Sequence, residues 1–126
     1  MFTDIILDYY RNPKNKGSVK NADAHARDLN PLCGDVIEMS LKIDDGIIAE
    51  VKFDGKGCAI SQAAASMLTE LVEGKDLDYV KALNKEDVLK LLNIPVSPVR
   101  LKCALLGLKV LKLAAYPKLE AIYDDR

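Results

Sequence analysis

Cysteine and aspartate are the residue types that suggest chemistry in this sequence, at Cys33, Asp35, Cys58 and Cys103. Cys33 and Asp35 are separated by one glycine, so a thiolate and a carboxylate can reach the same ion. Cys58 follows Gly-Lys-Gly and precedes a predicted helix, whose N-terminus favours the thiolate form. Cys103 follows Lys102, a cation that also favours thiolate. Such groups can bind a metal or attack a sulfur atom.

The spacing of the cysteines leaves three interpretations open. None of them forms the Cys-x-x-Cys pair that signals zinc strongly, so any shared site must be assembled by the fold. Three thiolates and one carboxylate would complete a tetrahedral shell for Zn²⁺ or would ligate an iron–sulfur cluster. Inert burial is the competing interpretation, because free cysteine behaves as a small hydrophobe. It applies most directly to Cys103, which falls on the apolar stripe of a predicted helix.

Composition restricts the class of protein. The 126 residues suit a single domain, 1–126, with 49% hydrophobic and 29% charged residues. A net charge of −1 argues against nucleic-acid binding. The N-terminus lacks the basic region of a signal peptide, and no apolar run approaches the roughly 20 residues that span a membrane. We therefore expect a cytoplasmic protein without membrane segments, in which an odd cysteine count does not indicate disulfides.

The first half of the chain predicts one helix and one hairpin. Residues 2–11 are amphipathic, with Thr3 as N-cap, and residues 12–32 are polar enough to predict a long loop. Residues 36–43 and 47–53 alternate as strands around an Asp-Gly turn, with Ile47, Ala49, Val51 and Phe53 on one face. Residues 54–57 are expected to form a third strand or a tight loop.

The second half predicts helices. One covers 60–72, with Ser61 as N-cap and Gly74 beyond its end. Short helices follow at 76–82 and 85–92, the latter capped by Asn84. A long helix begins after Ser97 and runs from 98 to about 115, and a last one is expected at 117–123. The outline is α+β, with helices packed on one face of a small antiparallel sheet.

Four segments together carry a family resemblance: Asp8 to Gly17, Cys33-Gly34-Asp35, Gly57 to Ser61, and Pro98 to Cys103. The first resembles an Asn-Pro-Arg/Lys-Asn-x-Gly motif, and the other three resemble the cysteine motifs of the IscU/SufU scaffold proteins (the NifU N-terminal-like family). They occur in the family's order and span essentially the whole chain.

The resemblance implies a sheet of about three antiparallel strands covered by helices, with the cysteines gathered at one exposed end. It implies that Cys33, Asp35, Cys58 and Cys103 ligate a metal (iron or zinc) or a [2Fe–2S] cluster, and that the three cysteines are candidate sulfur acceptors. It also implies two kinds of partner, a cysteine desulfurase and the apo-proteins that receive the cluster.

Two departures separate the chain from the subgroups of that family. Lys102 stands where IscU-type members have histidine, and lysine at this position is similar to the SufU-type pattern. The insertion that SufU-type members carry between the second and third cysteines is missing, however. The leading hypothesis is a cluster scaffold rather than an enzyme. A zinc-dependent sulfurtransferase of SufU type is the alternative, and a purely structural zinc domain is the third. The segment Val96 to Arg100 only partly matches the IscU chaperone motif, so an Hsp70-type partner is not predicted.

Three other residues have a functional and a plain interpretation. His25, the single histidine, is expected to be a solvated loop residue rather than a ligand. Tyr9 and Tyr10 are expected to pack against the sheet, with partner docking as the alternative.

Overall fold

The computed structural model describes residues 3–31 and 34–116. Its elements are α1 (Asp4–Arg11), β1 (Ala24–Asn30), β2 (Asp35–Asp44), β3 (Ile47–Lys56), α2 (Ala59–Val72), α3 (Leu77–Ala82), α4 (Lys85–Leu92) and α5 (Pro98–Ala115). The three strands form an antiparallel sheet in the order β1-β2-β3. This confirms the predicted α+β class with a small antiparallel sheet.

β1 lies in a segment that the sequence predicted to be a loop. β1 pairs with β2 from Ala24 opposite Leu41 to Asn30 opposite Asp35, inside the segment 12–32. The prediction was wrong because the inner face of β1 carries small and polar side chains, which give no apolar alternation. Residues 54–57 add no further strand, because β3 simply continues to Lys56.

The β2–β3 hairpin has the predicted Asp45-Gly46 turn, but the buried face of β3 has different residues from those predicted. The register shifts at Lys42 and Ile43, which is a bulge. After the shift Ile48, Val51 and Phe53 are fully buried, whereas Ile47 is 40% exposed and Ala49 is also exposed. The expected face beginning at Ile47 was therefore wrong for its first two members, because a bulge moves every residue on one side of it to the opposite face.

Helix boundaries follow the cap signals closely. Thr3, Asn84 and Ser97 are N-caps whose side chains accept backbone N–H groups, as predicted. The N-cap of α2 is Cys58 rather than Ser61, whose hydroxyl donates to the carbonyl of Cys58 at 3.1 Å instead. The helix expected at 117–123 lies outside the described residues.

Two helices cover the inner face of the sheet and form the core with it. α5 packs on β1 and β2, and α2 packs on β3 and on α5. The two helices approach closely at Gly107, where an added Cβ would lie 3.2 Å from the Cα of Ala65. An ion pair fixes α5 to the sheet edge, because Lys109 Nζ lies 2.7 Å from a carboxylate oxygen of Asp28 on β1. None of the described helices is both long enough and apolar enough to cross a bilayer.

Candidate metal and sulfur site

Several elements meet at one end of the sheet. Asn30 at the end of β1 is the partner of Asp35 at the start of β2, and the next β2 residue, Val36, pairs with Lys56 at the end of β3. Gly57 and Cys58 then lead directly into α2. The fold therefore brings Cys58 to Asp35 although the two are distant in sequence.

Two of the predicted cysteines and the predicted aspartate converge at this end. One ligand atom each from Asp35, Cys58 and Cys103 lies within 4.8 Å of the others. Asp35 Oδ1 accepts the backbone N–H of Cys58 at 2.9 Å, and Asp35 Oδ2 lies 3.8 Å from Cys58 Sγ. Cys58 and Cys103 are both free thiols.

The group is more enclosed than the expected exposed site. Asp35 is fully buried and Cys103 is 2% exposed, whereas Cys58 is half-buried. Asp35 is buried because it occupies the inner face of β2, in line with Ile37 and Met39. Cys103 is buried as the inert interpretation required, yet its sulfur is one of the three converging atoms.

Gly57 makes room for the carboxylate. Its φ of +153° lies in a region that side-chain-bearing residues rarely adopt. A Cβ built on it would lie 2.7 Å from Cγ of Asp35 and 2.8 Å from Oγ of Ser61. Glycine is thus required here both by the backbone conformation and because the Asp35 side chain lies so close.

Sequence reasoning missed one residue of this region, Asn30. It is 7% exposed, and its Nδ2 atom donates to Cys103 Sγ at 3.8 Å. Its backbone carbonyl accepts the N–H of Gly34 at 2.8 Å. The only available signal was its place in Asn-Pro-Leu-Cys, directly before the first cysteine motif.

The remaining predicted residues have separate outcomes. Cys33 lies outside the described residues. Lys102 is exposed and lies directly before Cys103 on α5. His25 lies on β1 rather than in a loop; it is exposed and contacts the carboxylate of Glu38 across the sheet. On α1, Tyr10 is 45% exposed, and the hydroxyl of Tyr9 donates to Glu70 of α2 rather than to the sheet.

The donor set fits a thiophilic metal. Tetrahedral Zn²⁺ with bonds of about 2.0–2.3 Å places its ligand atoms about 3.3–3.8 Å apart. The Asp35–Cys58 contact of 3.8 Å already matches that spacing. The limit of 4.8 Å within the group means that shifts of roughly 1 Å would bring the third atom to the same distance. The described group supplies three donors, so a fourth position is left for another ligand.

Comparison with known proteins gives a consistent result. Residues 1–121 match the family described as NifU-like N terminal domain. The chain is 35% identical to the zinc-dependent sulfurtransferase SufU of Bacillus subtilis, covering 89% of this chain and 87% of that protein. It is also 35% identical to the iron-sulfur cluster assembly scaffold protein IscU of Escherichia coli K12, covering 90% of each.

A solved structure has the same fold. The crystal structure of FiSufU from the thermophile Fervidobacterium islandicum AW-1 superposes with a TM-score of 0.80 at 30% identity. The match covers 90% of this chain and 96% of that one.

Proposed function

The chain belongs to the NifU-like N-terminal domain family, and we propose that it is an iron–sulfur cluster assembly scaffold. It accepts sulfur from a cysteine desulfurase, receives iron, holds a transient [2Fe–2S] cluster and passes it to apo-proteins. The observation that carries the proposal is the convergence of Asp35, Cys58 and Cys103 within 4.8 Å, in a chain that resembles IscU over 90% of its length. Cys33 is proposed as the remaining ligand because its motif matches the family pattern.

The thiolates and the carboxylate have different roles because they are different kinds of donor. The thiolates of Cys58 and Cys103 are soft donors that suit iron and sulfide. The carboxylate of Asp35 is a poorer match for a cluster, so it keeps the cargo exchangeable. Asp35 also fixes the backbone of Cys58 through the 2.9 Å hydrogen bond, which holds the start of α2 beside the cargo.

Sulfur arrives by thiolate attack on a persulfide. The acceptor thiolate bonds to the terminal sulfur of the donor's persulfide, the donor's S–S bond breaks, and the donor leaves as its thiolate. The acceptor becomes the persulfide, so this step needs no outside oxidant or reductant. Reducing that sulfur to sulfide takes two electrons. Ferrous iron supplies one as it becomes the ferric iron of the cluster, and a thiol or an electron-transfer protein supplies the other. These free thiols suit a reducing compartment, so the proposal includes a cytoplasmic location.

Anaerobic reconstitution with ferric iron and sulfide tests the scaffold. The wild-type chain should develop visible charge-transfer absorption with bound iron and acid-labile sulfide in equal amounts. Cys58→Ser and Cys103→Ser should lose most of it, and Lys90→Ala, an exposed change on α4 that alters none of the converging residues, should not. A wild-type chain that binds neither iron nor sulfide would overturn the scaffold.

A zinc-dependent sulfurtransferase is the second candidate. It is favoured by the 35% identity to SufU of Bacillus subtilis and by Lys102, which stands where IscU-type proteins have histidine. In that case the same residues would hold Zn²⁺, which would organise the thiolates for attack on the persulfide. Cysteine desulfurase turnover is measured with the zinc-loaded chain and with the metal-free chain. Stimulation by the zinc form alone selects this function, and its absence rejects it.

A further inference from the structure

We propose that Asn30 is a positioning residue for Cys103. Its side-chain amide donates a hydrogen bond to Cys103 Sγ and keeps that sulfur turned toward Asp35 and Cys58. This inference rests on the proposed function, because it assigns Asn30 to the same thiolate site.

Asn30 contacts three parts of the site through its backbone and its side chain. It is the last residue of β1 and pairs with Asp35, so its backbone is fixed beside the carboxylate. Its carbonyl accepts the N–H of Gly34 at 2.8 Å, which closes the connection between the two strands. Its side chain, 7% exposed, extends to α5 and reaches Cys103 Sγ at 3.8 Å.

The residue type argues for a role toward the sulfur. Ala24 and Ala26 occupy the inner face of the same strand, and the one other polar residue described on that face, Asp28, has a partner on α5 in Lys109. Asparagine is disfavoured in strands, and burying its amide costs free energy unless it is hydrogen-bonded. The hydrogen bond from Asn30 Nδ2 to Cys103 Sγ helps to offset the cost of burying this amide.

The chemistry of the contact is that of an outer-shell partner. A thiolate bound to a metal keeps lone pairs that accept hydrogen bonds, and an amide N–H directed at one of them fixes the rotamer of the ligand. Removing such partners commonly lowers metal affinity about 10–100-fold although no ligand is lost. We expect a change of that size from the loss of the Asn30 amide.

The test compares three variants at Asn30 with a matched asparagine elsewhere. Asn30→Leu removes the donor at similar size, Asn30→Ala removes the whole side chain, and Asn30→Ser keeps a donor. The control is Asn84→Ala, which loses the exposed N-cap bond of α4 and changes none of the converging residues. Zn²⁺ affinity is measured by chelator competition, and alkylation of Cys103 in the metal-free protein is followed by mass spectrometry of its peptide.

Asn30→Leu and Asn30→Ala should bind Zn²⁺ about 10–100-fold more weakly and expose Cys103 to faster alkylation, with Asn30→Ser intermediate. Asn84→Ala should change neither quantity. The proposal is overturned if folded Asn30→Leu keeps the wild-type Zn²⁺ affinity and Cys103 alkylation rate, or if Asn84→Ala changes both as strongly. If the wild-type chain binds neither zinc nor iron, the proposed function fails. The alkylation of Cys103 still decides the role of Asn30, because it needs no metal.

Discussion

The carboxylate of Asp35 engages both the backbone and the side chain of Cys58. Oδ1 accepts the backbone N–H at 2.9 Å, and Oδ2 lies 3.8 Å from the sulfur. Cys58 is the N-cap of α2, yet its own side chain makes no capping bond. Asp35, the first residue of β2, therefore places its carboxylate at the start of this helix, where the helix dipole favours a negative group. The same residue is a candidate ligand and an anchor of α2.

Replacing Asp35 should separate these two roles. Asp35→Ala removes both oxygens, so we expect the metal-free protein to lose about 1.5–3 kcal/mol in its free energy of unfolding, since a hydrogen bond to a charged group disappears. Asp35→Asn keeps an acceptor for the Cys58 N–H and should lose less. Both variants should hold a reconstituted cluster longer than wild type, because the exchangeable carboxylate is gone. Urea unfolding and the decay of visible absorption measure the two effects. Faster cluster loss in Asp35→Asn would contradict the assignment of Asp35 as the labile ligand.

Gly57 should tolerate no side chain. In Gly57→Ala the new Cβ meets Asp35 Cγ at 2.7 Å, and the residue must also keep a φ of +153°. We expect roughly 2–4 kcal/mol of destabilisation and weaker Zn²⁺ binding, since Asp35 must move. Thermal unfolding and chelator competition measure these losses.

Gly74→Ala is the matched control for that change. Gly74 has a φ of +86°, but nothing lies within 4 Å of its Cβ position, so only backbone strain of about 1–2 kcal/mol is expected. Its Zn²⁺ affinity should equal that of wild type. Equal losses of Zn²⁺ affinity in both variants would mean that the position of the Asp35 side chain does not depend on Gly57.

The sequence predicted the helix starts well because capping is local. Asn84 and Ser97 satisfy backbone N–H groups three residues onward, so the signal and the structure lie in the same short segment. β1 could not be recognised in this way. Its inner face carries alanine, aspartate and asparagine, and it is held by pairing with β2 and by contacts with α5, including the ion pair between Asp28 and Lys109.

The same distinction holds within the site. Cys58 and Asp35 could be named from their glycine-flanked motifs, but nothing local indicates that Asp35 binds the backbone of Cys58, because that contact depends on strand register. Asn30 was missed for the same reason. Its partner Cys103 is on α5, at the far end of the chain, and asparagine before proline is an ordinary turn signal.

Gln62 offers a way to stabilise the protein. It lies one turn after Cys58 on α2, is 4% exposed, and buries its Nε2 atom without a hydrogen-bond partner among the described residues. An unsatisfied buried donor costs about 1–3 kcal/mol, so Gln62→Met, which keeps the length and removes the polar group, should raise the free energy of unfolding by about 1 kcal/mol or more. Gln62→Ala is the contrasting variant and should destabilise by leaving a cavity. Chemical denaturation of both variants measures the effect, and destabilisation by Gln62→Met would show that the amide is satisfied in solution.

The contact between Tyr9 and Glu70 should make the attachment of α1 sensitive to high pH. The Tyr9 hydroxyl donates to Glu70 Oε1 at 2.6 Å, and this hydrogen bond, with burial and the nearby Glu70 charge, raises the pKa of Tyr9 to about 12. Because the folded pKa lies above the value of about 10 in an unfolded chain, the stabilising contribution is complete below pH 10. It is lost as the pH rises from about 10 to about 12.

Tyr9→Phe should therefore lower the free energy of unfolding by about 1 kcal/mol at neutral pH, and its difference from wild type should shrink toward zero above about pH 11. Denaturant unfolding at several pH values measures that difference, and phenolate absorbance should lose its highest-pH step in the variant. Tyr10→Phe, at an exposed position on the same helix, is the control and should leave the pH dependence unchanged. A Tyr9→Phe protein whose stability runs parallel to wild type up to pH 12 would exclude a stabilising Tyr9–Glu70 bond, and the attachment of α1 would then rest on its buried Ile6.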